Sequence, residues 1–408
     1  MAEPASLPLE GVRVLEFCHT VMGPAAGVLL ADLGADVIKV EAAPLGDSTR
    51  RMRGFANGFF YAFNRNKRSL AVDLKSGDGK AIIHRLAPQI DVVIENYGPG
   101  TMDRLGCGYT ALSNLNSKLI YAEMKGFLTG PYERRLALDE VVQYMSGLAY
   151  MTGPPGKPLR AGASVIDVMG GMFAVIAVQA ALRERDRTGK GKLVRSSLFE
   201  SAAFLMTQHM ASQVITGAPP PPMADKERRT GAWPVYQTFD TSDGKQIFVA
   251  LTTDNHWRRF WTHFDRPDLI EDERYATNAL RVKAKKRITP IVAEVVAKET
   301  LPRMIEICES IKVPFSPVAM PGDLFDDPHM NQGGHMLDIE FPDEKHGRMP
   351  ALPIEISGHH FGVRRQAPEV GQHTQEILIE LGLEEEEIEA LRERDVVVWP
   401  GQLAAKEQ

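Results

Sequence analysis

Cysteine is scarce in this chain. Its 408 residues include three, Cys18, Cys107 and Cys308. They stand far apart, with no Cys-x-x-Cys pair and no Cys/His ligand spacing. That excludes a disulfide framework and a zinc site, and the expected state is the reduced thiols of a cytoplasmic protein. An excess of positive charge is also lacking: 47 Lys and Arg against 53 Asp and Glu give a net charge of −6. Without a basic face, no nucleic-acid partner is expected. The N-terminus shows no charged segment followed by an apolar core, so no signal peptide is read. The longest apolar run, after Asp167, reads as shorter than a membrane span and hence as a buried core helix. "EFCHTVMGPAAG" lacks the GxGxxG of a dinucleotide-binding turn, and Glu41 alone is a weak ribose-binding signal. "GDGK" at 77–80 lacks the glycine spacing of a P-loop.

What is present is an ordinary globular composition, 44% hydrophobic and 25% charged. "VRVLEF", then "GPAAGVLLADLGA", then "DVIKVE" reads as strand, helix, strand. "RSLAVDL", "GDGKAIIHRLAPQ", "DVVIEN", "YGPGTMDRLG" and "LIYAEMKGF" continue the alternation. Residues 11–127 therefore predict a doubly wound, Rossmann-like α/β domain with a parallel sheet. A helix after Asp167 is expected to end at Gly189, followed by a strand and a long helix. "GAPPPPMADKERRTG" is the clearest linker. "YQTFDTSDGKQIFVAL" predicts a hairpin around Asp243-Gly244, followed by a helix-rich segment, which together suggest a smaller α+β domain. "VPFSPVAMPGDLFDDP" reads as loop, and the acidic run near the C-terminus as a solvated helix face. The expected division is 1–216, linker 217–230, 231–328 and a return at 329–408.

Asp167 is the single acid in the first third of a small, apolar stretch, residues 160–192. Burying an uncompensated carboxylate is costly. One reading makes it a helix N-cap accepting backbone N–H groups. The other makes it a covalent nucleophile, since an acid at a helix N-terminus is expected to stay ionised. Gly162, Gly170 and Gly171 would leave room for a bulky group to approach. His19 is either an acid/base or a structural histidine. Arg50, Arg51 and Arg53, then Arg65, Lys67, Arg68 and Lys75, then Arg104, form basic clusters that read as solvated surface or as an anion site.

In their order, "GPAAGVLLADLGADVIKVEAAPLGDSTR", "NRNKRSLAVDLKSGDGK", "DVVIENYGPGTMDRLG", "IYAEMKGF", Asp167 and "APEVGQHTQEILIELGL" resemble the class III CoA-transferases, the family of formyl-CoA transferase and carnitine CoA-transferase. The resemblance covers nearly the whole chain. It implies a large α/β domain, a smaller domain and a C-terminal return, with two chains interlocked as rings in a homodimer. By matched position it implies CoA contacts at His19, Thr20, Val72, Lys75, Asn96, Tyr97, Arg104 and Ala137. It makes Asp167 the nucleophile, passing through a mixed anhydride and an aspartyl-CoA thioester. CoA enters as a thioester substrate; no permanently bound cofactor, metal or membrane is implied.

The departures bear on specificity. Val21 stands where formyl-CoA transferase has glutamine, Ala42 where it has arginine, and its glycine-rich lid is reduced to "TGAWP". Oxalate-type specificity is therefore not expected. A small dicarboxylyl-CoA is, with transfer of CoA between the C1 and C4 carboxyls of mesaconyl-CoA as the leading expectation and succinyl-CoA-dependent transfer between molecules as the alternative. Arg50 and Arg51 are candidates to hold the free carboxylate. In "RRLALDEVVQ", Leu138-Asp139 replaces the His-Asp pair of the family's α-methylacyl-CoA racemases, which argues against proton abstraction. A racemase-like enzyme and a non-catalytic CoA-binding protein remain as rivals.

Overall fold

The protein is described from a computed structural model covering residues 6–225 and 231–400. The described residues form two compact units. One takes in the chain up to Ala224 and from His329 onward; the other spans Asp225–Pro328.

The larger unit is built on a seven-stranded sheet. In chain order its strands are β1 (Arg13–Phe17), β2 (Asp36–Ala42), β3 (Lys67–Val72), β4 (Val92–Glu95), β5 (Ile120–Lys125) and β6 (Lys192–Ser197). In the smaller unit lie β7 (Val235–Asp240), β8 (Gln246–Leu251) and β9 (Phe315–Pro317). The chain then adds the hairpin β10 (Met336–Phe341) and β11 (Lys345–Pro350), and a short β12 (Val397–Val398). The large sheet runs β12-β3-β2-β1-β4-β5-β6, all parallel except the antiparallel β12 at one edge. The order 3-2-1-4-5-6 reverses direction between β1 and β4, and ligands of doubly wound folds bind in the crevice at that reversal.

The strands follow period-2 burial on both faces. Val14, Val92, Ile94, Ile120 and Ala122 point to one core with the Met22–Asp32 and Val165–Thr188 helices. Leu15, Phe17, Val93 and Tyr121 point to the other, with the Gly77–Leu86 helix and Ile377 and Leu378 of the Thr374–Glu380 helix. The Val165–Thr188 helix ends where expected, with Gly189 left-handed as its C-cap at φ 68°. It is, however, apolar over a stretch long enough to cross a membrane by length and composition, which corrects the shorter run read from the sequence. Eight of its residues are buried, including Ile166, Ala174 and Val178.

The smaller unit carries the expected hairpin, β7 antiparallel to β8. Its core gathers Trp257, Phe260, Trp261, Ile288, Val292 and Met304. The segment read as loop supplies β9, which pairs antiparallel with β8. Of the linker read at 217–230, residues 226–230 lie outside the described residues, as does Thr230 of "TGAWP". The proline-rich part packs back on the Leu148–Thr152 helix: Met223 N–H donates to the Met151 carbonyl at 2.8 Å, and the Tyr150 hydroxyl to that of Pro220 at 3.3 Å.

Candidate active site

β1 and β4 end side by side, and the residues that follow them are locked together. The His19 N–H donates to Asn96 Oδ1 at 3.0 Å, and Asn96 Nδ2 donates to the His19 carbonyl at 2.8 Å. His19 Nδ1 lies 2.7 Å from Thr20 Oγ1, and its ring lies against that of Tyr97, centroids 5.2 Å apart. Thr20 holds φ 67°, a left-handed conformation uncommon for a branched residue. Such strain persists only where the surroundings fix it. Burial lowers the His19 pKa, with Asp47 opposing, and pushes the Tyr97 hydroxyl up to about 12.

The other sequence-predicted CoA residues fall along the same carboxyl edge of the sheet. Val72 closes β3, in register with Ala42 of β2, and Lys75 follows it, exposed. Arg104 is exposed at the end of the short Thr101–Arg104 helix after β4. Ala137 packs on Gly126, just beyond β5, so closely that a Cβ on Gly126 would lie 2.5 Å from that of Ala137.

Asp167 is the third residue of the Val165–Thr188 helix; Ser164 takes the N-cap position without a side-chain bond. The N-cap reading of Asp167 is thereby corrected. Its place as cap is taken by Asp139, 28 residues earlier, whose Oδ2 accepts the N–H groups of Ile166 at 2.8 Å and Asp167 at 3.0 Å. Asp139 is 7% exposed. Gln143 donates to its other oxygen and accepts the Ala161 N–H at 2.9 Å. The sequence marked Asp139 only by the absent histidine beside it; no local pattern reveals a cap reaching across from another helix.

Nor does Asp167 behave as an ordinary helix-terminal acid. Burial, reinforced by the Asp139 charge, pushes its pKa up to about 7, so near neutrality it is only partly ionised. One turn on, a Cβ on Gly171 would stand 2.7 Å from the Met22 carbonyl oxygen. Gly170 and Gly171 thus serve close packing on the Met22–Asp32 helix, not room for a ligand. Gly162 does face open space. This packing holds the start of the Asp167 helix against the helix that follows Thr20, and a 2.7 Å bond from Ser196 Oγ to the Gly170 carbonyl ties it to β6.

The middle basic cluster, Lys75 apart, resolves differently from either reading, while Arg51, Arg53, Lys75 and Arg104 are exposed. Arg65, Lys67 and Arg68 are buried. Arg65 forks onto Asp32, Nη2 to Oδ2 at 2.6 Å. Arg68 binds Asp36 at 2.6 Å and Glu376 at 2.9 Å. Lys67 Nζ lies 2.7 Å from Glu16 Oε2, and burial, despite Glu16, pulls its pKa to about 8. Lys39 Nζ, also fully buried, reaches Asp47 at 2.9 Å, Glu16 at 3.3 Å and the Cys18 carbonyl at 2.8 Å. Burial opposes its charge, yet Glu16, Asp47 and Glu41 together raise its pKa. Arg50 is bidentate to Glu41, at 2.8 and 2.7 Å, and lies 3.6 Å over the Phe60 ring. Glu41 is therefore spent on Arg50, the Asp47 N–H and the Ser69 hydroxyl. Arg51 is exposed and donates to the Leu45 carbonyl.

A half-buried acid at the start of a core helix, packed against the helix that leaves the reversal point of a doubly wound sheet, marks a candidate ligand site. The chain matches CoA-transferase family III over residues 9–374. It is 34% identical over 386 residues to the succinate–glutarate CoA-transferase of Agrobacterium fabrum (strain C58), covering 92% of this chain and 96% of that one. It is 30% identical over 401 residues to the succinyl-CoA–D-citramalate CoA-transferase of Chloroflexus aurantiacus, covering 96% and 98%. A crystal structure of a CaiB/BaiF family protein from Brucella suis superposes with a TM-score of 0.80 at 32% identity, over 92% of this chain and all of that one. The protein belongs to CoA-transferase family III, and it is a CoA-transferase.

Proposed function

We propose that the protein transfers CoA from succinyl-CoA to a second small dicarboxylic acid, with Asp167 as covalent nucleophile. The observation that carries the nucleophile is the placement of its carboxylate, half-buried in an otherwise apolar first turn that packs on the helix leaving the β1/β4 crevice. The substrate class rests on the relatives, which are named for succinyl-CoA, glutarate and citramalate. They favour transfer between two molecules over the transfer within mesaconyl-CoA expected from the sequence.

Asp167 attacks the thioester carbonyl; the C–S bond breaks and CoA leaves as thiolate, giving a mixed anhydride. The thiolate attacks the Asp167 acyl carbon, releasing the donor carboxylate and leaving an aspartyl-CoA thioester. The acceptor carboxylate then displaces CoA to form a second anhydride, and the thiolate takes the acceptor acyl group. Each intermediate stays activated, so excluding water from this apolar turn preserves the thioester energy. CoA lies along the carboxyl edge, touching His19, Thr20, Val72, Asn96, Tyr97 and Ala137, with Lys75 and Arg104 as exposed cations for its phosphates. Because Arg50 is committed to Glu41, the free carboxylate of the substrate falls to Arg51 or another exposed cation. The working form is a homodimer with interlocked chains; the large apolar side chains left exposed on the Thr207–Thr216 helix support it.

The test is trapping. The protein is incubated with succinyl-CoA, with and without glutarate or citramalate, and separately with mesaconyl-C1-CoA; hydroxylamine is added and the peptide holding Asp167 is mass-mapped. A hydroxamate on Asp167 with succinyl-CoA, and glutaryl-CoA or citramalyl-CoA as product, is expected. Acyl-CoA binding without modification of Asp167 overturns the nucleophile. Product from mesaconyl-C1-CoA alone restores intramolecular transfer, and deuterium exchange at the α-carbon without a hydroxamate points to the racemase-like rival.

A further inference from the structure

We infer that Asp139 is a positioning residue that drives acylation of Asp167, by taking the backbone donors that would otherwise steady its charge and by placing a like charge beside it. This rests on Asp167 being the nucleophile.

The start of a helix offers unpaired N–H groups, and an acid in the first turn ordinarily draws on them. Here the N–H groups of Ile166 and Asp167 go to Asp139 Oδ2, at 2.8 and 3.0 Å. Asp139 sits in the first turn of its own helix, Asp139–Met145. Its remaining oxygen is held by Gln143, whose orientation is fixed because Oε1 must accept the Ala161 N–H. The carboxylate is thus buried, hydrogen-bonded on both oxygens and aimed at the base of Asp167. The other charged groups on the surrounding elements are committed elsewhere. Glu140 pairs with Arg160 at 2.9 Å, Glu200 accepts from the Leu128 N–H and the Ser197 hydroxyl, and Lys125 binds Glu95. On β6, Arg195 pairs with Glu123 and Lys192 with Glu184. The Met22–Asp32 helix opens with the uncharged residues Met22–Ala26.

The consequence is chemical. In the reactive form, with Asp167 ionised, two carboxylates share one end of a helix. When Asp167 attacks the thioester carbonyl, its charge leaves with CoA as thiolate and only Asp139 remains. The repulsion present before reaction is absent in the anhydride and in the aspartyl thioester, so the arrangement favours the acylated forms. It also keeps Asp167 basic and hence more nucleophilic when it does ionise.

The test compares the pH dependence of Asp167 acylation by succinyl-CoA, read as hydroxamate formation in single turnover, in the unaltered protein and in Asp139→Asn. The amide keeps an oxygen for the two N–H groups and removes the charge. The midpoint is expected to move toward acid by about one pH unit, and the alkaline plateau to fall a few-fold. Because the new amide faces Gln143, Asp139→Ser serves as a second uncharged variant, and both are checked by thermal unfolding. A folded variant whose midpoint does not move overturns the inference. Carbodiimide labelling of Asp167 across pH needs a protonated carboxyl and no turnover. If the unaltered protein forms no hydroxamate at all, the nucleophile reading has failed. The labelling midpoint still reports whether Asp139 governs Asp167: an acid shift in the variants supports the electrostatic claim, and none overturns it.

Discussion

Asp167 ties the proposed chemistry to the stability of the fold. Its pKa is raised from 3.8 to about 7 by burial and by Asp139, so the folded protein keeps this proton to a higher pH than the unfolded chain does. Between about pH 4 and pH 7 the folded state binds more protons, and stability falls as pH rises through that window. The shift is worth at most about 4 kcal/mol, at about 1.4 kcal/mol per unit. With residual solvent contact, about 2 kcal/mol is expected. Asp167→Asn escapes this loss. In urea unfolding it should match the unaltered protein at pH 4 and exceed it by about 2 kcal/mol at pH 8, while losing all transfer activity. A pH-independent difference would mean that Asp167 titrates normally. Glu95, pushed to about 7 chiefly by burial against the pull of Lys125, contributes the same slope to both proteins and cancels. Beneath the crevice, Lys39 has the opposite character, a buried cation held by Glu16, Asp47 and a turn carbonyl. Lys39→Met leaves two buried carboxylates short of a partner and is expected to cost about 3–5 kcal/mol. Denaturant midpoints check this, and a loss under about 1 kcal/mol would mean that water reaches the cluster.

Among the elements, the contact between the Met22–Asp32 and Val165–Thr188 helices places Asp167. It depends on backbone approach at Gly171, where a Cβ would meet the Met22 carbonyl oxygen at 2.7 Å and the Ala26 nitrogen at 3.1 Å. Gly171→Ala therefore pushes the helices apart. It should cost about 1–3 kcal/mol and slow acylation of Asp167 more than it weakens CoA binding; equal effects on both would show that the helix start moves as one body with the crevice. The helices and parallel strands were legible because periodicity and turn residues are local signals. β9 was not, because three residues among prolines carry no strand pattern. Nor was β12, since two valines at a sheet edge owe their pairing to β3. The charges of "NRNKRS" read as surface because their partners, Asp32, Glu16, Asp36 and Glu376, are distant in sequence. Asp167 stood out as a lone acid in an apolar run, whereas the acid that governs it did not.

At the scale of the whole molecule, the larger unit leaves an apolar face open. None of the residues of the Thr207–Thr216 helix is buried. Val214 is 83% and Ile215 85% exposed, and Met210 and Phe204 are exposed as well. Ile176 and Met172 on the Val165–Thr188 helix are also uncovered. Large apolar side chains exposed in such number are the kind an interface covers, and in the proposed homodimer a second copy of the chain covers them. Asp substitutions at Val214 and Ile215 place charges where the partner would exclude water, which a subunit interface tolerates poorly. Sedimentation velocity is expected to show a dimer for the unaltered protein and monomer for Val214→Asp/Ile215→Asp. Because interlocked chains come apart only by unfolding, the double variant should also fail to exchange into preformed dimers on mixing. A monomeric unaltered protein would remove the dimer from the proposal. A dimer that survives both substitutions would move its interface elsewhere, and binding of the unaltered protein to lipid vesicles, lost in the variant, would assign the face to a membrane instead.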